Sequence, residues 1–430
     1  MTKPVNRLAA EQTWREAFQG FDAGPAWLAP HRKAAFEAFA GAGLPSPRSE
    51  DWRWSDIHRH LATPFEPAVD MPEPDDIASL MAQNPFARLE ASLLVFVNGR
   101  FAPRHSLVRP QAGVEILALS VTEEKPAWLD LSPREEAIDQ LNLAFVTDGA
   151  LIHVAPGMRK AAAVVILNIS TGEGASCALR HHLRIDEDAA LSLHEVQIGT
   201  GAHLANVVTH VQLDEGAQLT RIQAQVKDDA AIHLANLDAK IAAHAQLNDL
   251  AVIAGARYHR QQQFITFAGE HGFARADAAW LLRSRQHADT HMLVDHAVPH
   301  CTSRQTFKCV MDERARGSFA GRIHVAPGAM KTDGQMAAHG LLLGEMAEFD
   351  AKPELEIYAD DVICAHGATT GALDEEQLFY LQSRGIPQEK ARAMLIAAFV
   401  AETFDEVESP PAREALQHLA ETWLTRGEGA

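Results

Sequence analysis

Residues 188–253 read DAALSLHEVQI (188–198), GAHLANVVTHVQL (201–213), EGAQLTRIQAQV (215–226), DAAIHLANLDAKI (229–241) and HAQLNDLAVI (244–253). Each segment opens on an acidic residue, Gly or His with Ala close behind, then alternates inward and outward side chains as a strand does. Equivalent strands recur about every 13 residues, and every second one at about 27, which is the self-similarity of a solenoid with two strands per coil. An antiparallel sandwich would need Asn-Gly or Asp-Gly hairpin signals between these strands, and they are weak here. The expected fold is therefore mainly β: a right-handed parallel β-helix of two-strand coils, flanked by an N-terminal mainly helical region and C-terminal helices.

Outward from the repeats, Pro353 to Gly385 reads PELEIYADDVICAHGATTGALDEEQLFYLQSRG. Leu355 to Cys364 has strand-like apolar runs broken by a turn at Asp360-Asp361. Cys364 and His366 stand two residues apart, so an extended backbone projects both to one face. A thiolate and a neutral imidazole are both competent ligands for iron or zinc, yet two donors make only half a metal site. The alternative is a buried Cys packed as a small hydrophobe beside a hydrogen-bonded His. Asp374, with Gln377 three residues on, predicts a capped helix start, Gly385 its end, and Pro387 the first residue of the next helix. Ala391, Met394, Leu395, Ala398 and Phe399 fall on one helix face, and Leu416, Leu419, Ala420 and Trp423 repeat the pattern after Ser409-Pro410-Pro411. Such helices either cap the last coil of the solenoid or offer an apolar face to a partner.

The N-terminal third reads differently. Two amphipathic helices are expected over 8–42 around Gly24-Pro25, then a strand at Leu93–Val97, a turn at Asn98-Gly99 with a return at Arg100-Phe101, and helical spacing from Glu135 to Phe145. Trp52 and Trp54 read as packing residues, because the chain is too acidic for a base-stacking platform. The expected units are residues 1–148, a helical region; 149–372, the β-helix core; and 373–430, the C-terminal helices.

The chain of 430 residues carries 38 basic and 57 acidic side chains, a formal charge of −19. That balance argues against nucleic acid as a partner. The N-terminus lacks the apolar core of a signal peptide, and no run approaches the roughly 18 apolar residues of a membrane span, so a cytoplasmic location is expected. Four irregularly spaced Cys read as free thiols of a reducing compartment. Lys331-Thr332 follows Gly328 without phosphate-loop spacing, and GxSxG, HExxH and a framed GxGxxG are missing, so no complete catalytic signature is present. A second soft-ligand region, Asp295-His296, His300-Cys301 and Cys309, is a weaker metal candidate because His300 and Cys301 diverge on an extended backbone. His181-His182 is weaker still.

The run 353–385, with Phe319-Ala-Gly-Arg-Ile-His-Val325 and Lys331-Thr-Asp333 before it, resembles the core of the SufB/SufD family of iron-sulfur cluster assembly proteins. Leu44-Pro45-Ser-Pro-Arg48 and Glu50-Asp-Trp-Arg-Trp54 extend the resemblance loosely into the first third. Gly367 and Gly371 match the SufD branch, where the SufB branch has Glu and Ser. The resemblance implies a β-helix core and a non-catalytic scaffold working with a SufB paralogue and a SufC ATPase. It implies a nascent iron-sulfur cluster, or iron, held transiently at the junction of the two β-helices by Cys364 and His366, with no cofactor tightly bound in the isolated chain. It places docking of the ATPase on the tail, at Leu378, Phe379, Met394, Leu395 and Phe399. A homodimer in isolation, a metalloenzyme built on the β-helix, and a purely structural interaction module stay open as alternatives.

Overall fold

The computed structural model describes residues 9–69 and 71–426. Residue 8, where the first expected helix begins, and residues 427–430 of the expected C-terminal unit lie outside them.

Two ten-stranded sheets run the length of the molecule, and the chain alternates between them. One contains Ala190–Thr200, Gln218–Lys227, Gln246–Ile253, Phe273–Leu282, Thr302–Met311, Asp333–Leu342 and Ile363–Gly371; the other contains Leu204–Leu213, Ile232–Ile241, Tyr258–Phe267, His287–His296, Arg316–Val325 and Glu348–Ile357. Along the coils the pairing is parallel and the register constant, so side chains stack in columns. One column is Leu191, Leu219, Leu247, Ala274, Ser303, Gly334 and Cys364. The expected two-strand solenoid is thus what the chain forms.

Three layers of apolar packing hold it. Between the sheets lie Leu191, Leu219, Leu247, Ile253, Trp280, Phe307, Phe319 and their neighbours. The outer face of one sheet is covered by the N-terminal helices Ala9–Phe18, Ala29–Ala42 and Ala137–Phe145, which bury Trp14, Phe39 and Leu141 against Leu204, Ile232 and Tyr258. The outer face of the other is covered by helices Gln388–Ala401 and Pro410–Arg426 through Ile396, Val400, Leu416 and Trp423. Trp52 is indeed a packing residue: it is buried, with the Arg260 guanidinium 3.7 Å from its ring centroid.

The N-terminal region also enters the sheets. Ala91–Val97 pairs parallel with Ala163–Thr171 and turns back through Asn98-Gly99 into Arg100–Phe101, while Val114–Ala118 pairs antiparallel with Ala150–Val154. Both sheets are therefore closed by antiparallel strands at this end. At the other end Glu348–Ile357 and Ile363–Gly371 are the outermost strands of their sheets. The tail helices do not cap them; packing on the sheet's outer face is a role beside the two left open for these helices. Glu375–Ser383 buries no residue, and the next two helices lie on the outer face of the sheet rather than across its end.

The tail corrects two details. Asp374 caps its helix by accepting from the Glu376 and Gln377 amides (2.8 and 3.2 Å), but no bond returns from the Gln377 side chain, so the capping box is half made. In Gln388–Ala401 the buried stripe is Ala391, Ile396 and Val400, not the face of Met394 and Ala398. Both apolar stripes exist in the sequence, and only the contact with the sheet selects one.

Candidate functional site on the last coil

Cys364 and His366 sit on the uncovered strand Ile363–Gly371, opposite Gly334 and Met336. Constant register makes each the last member of an inward column. Cys364 follows Ser303 and Gly334, and His366 follows Gln305 and Met336, of which Ser303, Gln305 and Met336 are buried. The expectation that the two share a face is met, but their surroundings differ. Cys364 is half-buried against the core, while His366 is exposed because no further coil lies over it.

A Cβ at Gly334 would touch Cys364 Sγ at an ordinary 3.6 Å and meet Ile323 more tightly, at 3.2 Å. Burial raises the Cys364 thiol above its ordinary range, the Gly334 backbone pulls the other way, and Asp333 adds to the rise. At neutral pH this sulfur is a thiol and a weak nucleophile. Cys177, Cys301 and Cys309 are buried, and burial raises all three. Among the described residues Cys364 is the one Cys that is not buried.

The second soft-ligand region does not assemble. His296 is buried and bonded to Ser303 Oγ (2.9 Å), Asp295 is engaged by His324 (2.7 Å), and Cys301 and Cys309 face the core while His300 stands on an exposed turn. His181 is buried with Nδ1 accepting from the Ala150 amide (2.9 Å), and His182 stacks on His210. Lys331 likewise closes a turn by pairing with Asp361 (2.6 Å). Among the described residues no three His, Cys, Asp or Glu side chains converge on one point. Cys364 and His366 are two potential donors side by side, fewer than a stable metal site needs.

The tail residues fall into two groups. Phe379 is 70% exposed and Met394 43%, with Tyr380 exposed beside Phe379; Leu378, Leu395 and Phe399 are partly buried, Phe399 under the Lys308 ammonium at 4.8 Å. An apolar patch on the Glu375–Ala401 helical hairpin thus remains after the solenoid has been covered.

The inner columns hold something the sequence did not announce. Arg221 is fully buried between Glu195 (2.9 Å) and Asp249 (2.7 Å), and Gln263 donates to Asp249 (2.8 Å). Lys227 is buried with Nζ 3.4 Å from the Ile198 carbonyl, and burial lowers it to about 7. In its middle coils the lumen is polar, with Gln223, Gln225 and His233 buried as well.

The fold is that of a two-sheet parallel β-solenoid whose end coil is open and carries a thiol-imidazole pair. Comparison with known proteins supplies the family. Residues 168–399 match the model of the SUF system FeS cluster assembly SufBD core domain, and residues 21–166 that of the SufBD protein N-terminal region. The chain is 30% identical over 403 residues to the iron-sulfur cluster assembly protein SufD of Escherichia coli, covering 92% of each chain. It is 28% identical over 402 residues to a SufBD family protein of Synechocystis, covering 88% of this chain and 87% of that one. A shorter match, 33% over 189 residues, links it to a SufBD family protein of Mycobacterium leprae, across 42% of this chain and 48% of that one. The chain belongs to the SufBD family of iron-sulfur cluster assembly proteins, on its SufD-like side. Among the described residues no helix is long and apolar enough to cross a membrane.

Proposed function

We propose that this chain is the SufD-type scaffold subunit of a complex with a SufB paralogue and a SufC ATPase, and that a nascent cluster is its cargo, held where the two β-helices meet. The observation that carries this reading is the uncovered last coil. Its strand edges lack partners at the point where Cys364 and His366 end their columns. Unpaired edges of nine and ten residues are templates for another chain's strands. Exposed Ile357, Tyr358 and Ile363 add apolar surface at the same end. A partner docking there brings its own donors against the pair. Such a composite site holds iron loosely enough to release it when the subunits move apart. The ATPase docks on the exposed patch of Phe379 and Met394, and ATP hydrolysis belongs to that subunit.

The test is co-expression with the SufB and SufC partners, anaerobic isolation, and assay of iron and acid-labile sulfide, with and without His366→Ala. His366 is exposed, so its replacement should change stability by no more than about 0.5 kcal/mol. A stable ternary complex that loses its cluster in the variant is the expected result. Undiminished cluster in a stable mutant complex would assign the chemistry to the partner and leave this chain architectural.

A further inference from the structure

The fold parts His300 from Cys301 and gives it different neighbours. One turn position recurs coil after coil with a left-handed backbone: Gly216 (φ 68°), His244 (58°), His271 (61°), His300 (61°) and Lys331 (62°). Amide-to-carbonyl bonds tie these turns into a column, from Gly216 to Ala243 (2.9 Å), His244 to Glu270 (3.0 Å) and His300 to Met330 (2.9 Å). Glycine adopts this conformation without steric cost. Histidine is tolerated there, but tolerance does not account for histidine on three consecutive coils.

The three imidazoles are exposed and stacked: His244 on His271 with centroids 5.0 Å apart and planes at 10°, His271 on His300 at 4.9 Å and 24°. No ring nitrogen of the three is hydrogen-bonded to a described residue. His153 and His324, also on the solenoid surface, are by contrast engaged by Asp186 (2.8 Å) and Asp295 (2.7 Å). Up to three imidazoles with free donor atoms thus line up along one corner, with the exposed carboxylate of Glu270 next in sequence to the middle one.

We propose that this histidine ladder is a surface site for a divalent transition-metal ion of borderline softness, such as Zn(II), Ni(II) or Cu(II), bridged between His271 and a neighbouring imidazole. Imidazole suits these ions, and water or the Glu270 carboxylate fills their remaining positions. The stacked rings hold equivalent nitrogens about one coil spacing apart, whereas metal–nitrogen bonds of about 2.0–2.1 Å require tetrahedral donors roughly 3.4 Å apart. Tilting two exposed rings about their soft χ2 torsions closes that gap without backbone movement. The site lies on the flank of the solenoid, with His271 three coils and His300 two coils short of Cys364 and His366, and its existence does not depend on the cluster assignment.

The experiment uses the untagged full-length chain with Zn(II) alone as calorimetric probe and Cu(II) alone for electron paramagnetic resonance. His271→Asn is the informative variant, because Asn also accepts a left-handed backbone and removes the shared member of both pairs. One equivalent of Zn(II) should bind the parent, with affinity falling about tenfold or more in His271→Asn. His244→Asn and His300→Asn should each lose less, since one pair survives, and their double variant should match His271→Asn. The Cu(II) spectrum should show coupling to at least two nitrogens in the parent and to fewer in His271→Asn. Equal affinity in parent and His271→Asn, or no binding by the parent at micromolar Zn(II), overturns the proposal. His366→Ala should leave the ladder's affinity unchanged, which separates this site from the last coil.

Discussion

Arg221→Met is the sharpest test of the polar lumen. The guanidinium makes bonds of 2.9 and 3.2 Å to Glu195 and of 2.7 Å to Asp249, and all three side chains are at most 2% exposed. Burial pushes the Glu195 carboxyl up, but Arg221, joined by His181 and Gln197, outweighs it and holds the group below its ordinary range; at Asp249 burial prevails over Arg221 and the carboxyl is raised. Methionine fills similar volume but leaves two carboxylates in a low-dielectric interior with only neutral donors such as Gln197 (2.8 Å) and Gln263 (2.8 Å). Breaking a buried pair in this way costs about 3–5 kcal/mol. For 430 residues at about 2.1 cal/mol/K each, the unfolding entropy is roughly 0.9 kcal/mol/K, so the melting point should fall by about 3–6 °C. The orphaned carboxyls will then take up protons in the native state. Raised native pKa values cost stability as pH climbs above the unfolded value near 4, so the deficit should narrow as pH is lowered from 7.5 to 5. The triple variant Arg221→Met, Glu195→Gln, Asp249→Asn should recover most of the loss. Differential scanning calorimetry of the three proteins at both pH values decides it. A shift below about 1 °C for the single variant, or a triple variant no better than the single, would refute the reasoning.

Two further outcomes follow from the surface of the second sheet and the tail. Burial raises the Asp277 carboxyl to about 7, against Arg275 and the Thr306 amide, so the native state keeps a proton that the unfolded chain releases near pH 4. Asp277→Asn should gain stability over the parent progressively between about pH 4 and 7, to a ceiling of roughly 4 kcal/mol, and no more above that; a gain independent of pH in thermal melts would contradict it. Phe379→Glu and Met394→Glu should leave the stability within about 0.5 kcal/mol of the parent yet weaken capture of the proposed ATPase subunit, whereas Ile396→Glu should unfold the tail. Unimpaired capture by both exposed-site variants would remove the helical hairpin from the docking surface.

How far the sequence was legible follows from what periodicity can carry. The repeats over 188–253 specify two-strand coils because a solenoid's contacts are local and identical from coil to coil. They do not say which face is inside. In Gln218–Lys227, Ile222 and Ala224 pack outward under the tail helices, while Arg221, Gln223 and Gln225 are buried too. Both faces are dry, so an apolar-inside reading inverts the strand's chemistry. The shared face of Cys364 and His366 was legible from their spacing. That no coil lies beyond them depends on where the tail packs, and no local pattern encodes that. The histidine ladder was within reach: His244, His271 and His300 are 27 and 29 residues apart, close to the coil period, but grouping His300 with its sequence neighbours hid the alignment.

The two open edges of the last coil are chemically unlike, and this bears on which of them a partner would extend. Glu348–Ile357 carries Lys352, Glu354 and Glu356, tied to Glu50 (2.6 Å) and Arg322 (3.4 Å), with Pro353 removing one amide donor. Charge and proline are the means by which natural sheets discourage edge pairing. Ile363–Gly371, ICAHGATTG, has neither. Addition of a partner's strand should therefore favour Ile363–Gly371. Ala368 offers a test, because it ends the inward column Phe307, Ala338, Ala368 yet is exposed while the coil is open. In Ala368→Lys the ammonium reaches water in the free chain, so the isolated protein should melt as the parent does. Once another coil stacks on it the same charge is enclosed without a counter-ion, at a penalty of several kcal/mol. Association with the SufB partner, followed by size-exclusion chromatography or calorimetry, should weaken at least a hundredfold, since each 1.4 kcal/mol is a factor of ten. Lys at Ala365, which faces outward by alternation, should weaken it far less. Equal effects of the two substitutions would mean that the partner abuts the end of the solenoid without continuing its sheet.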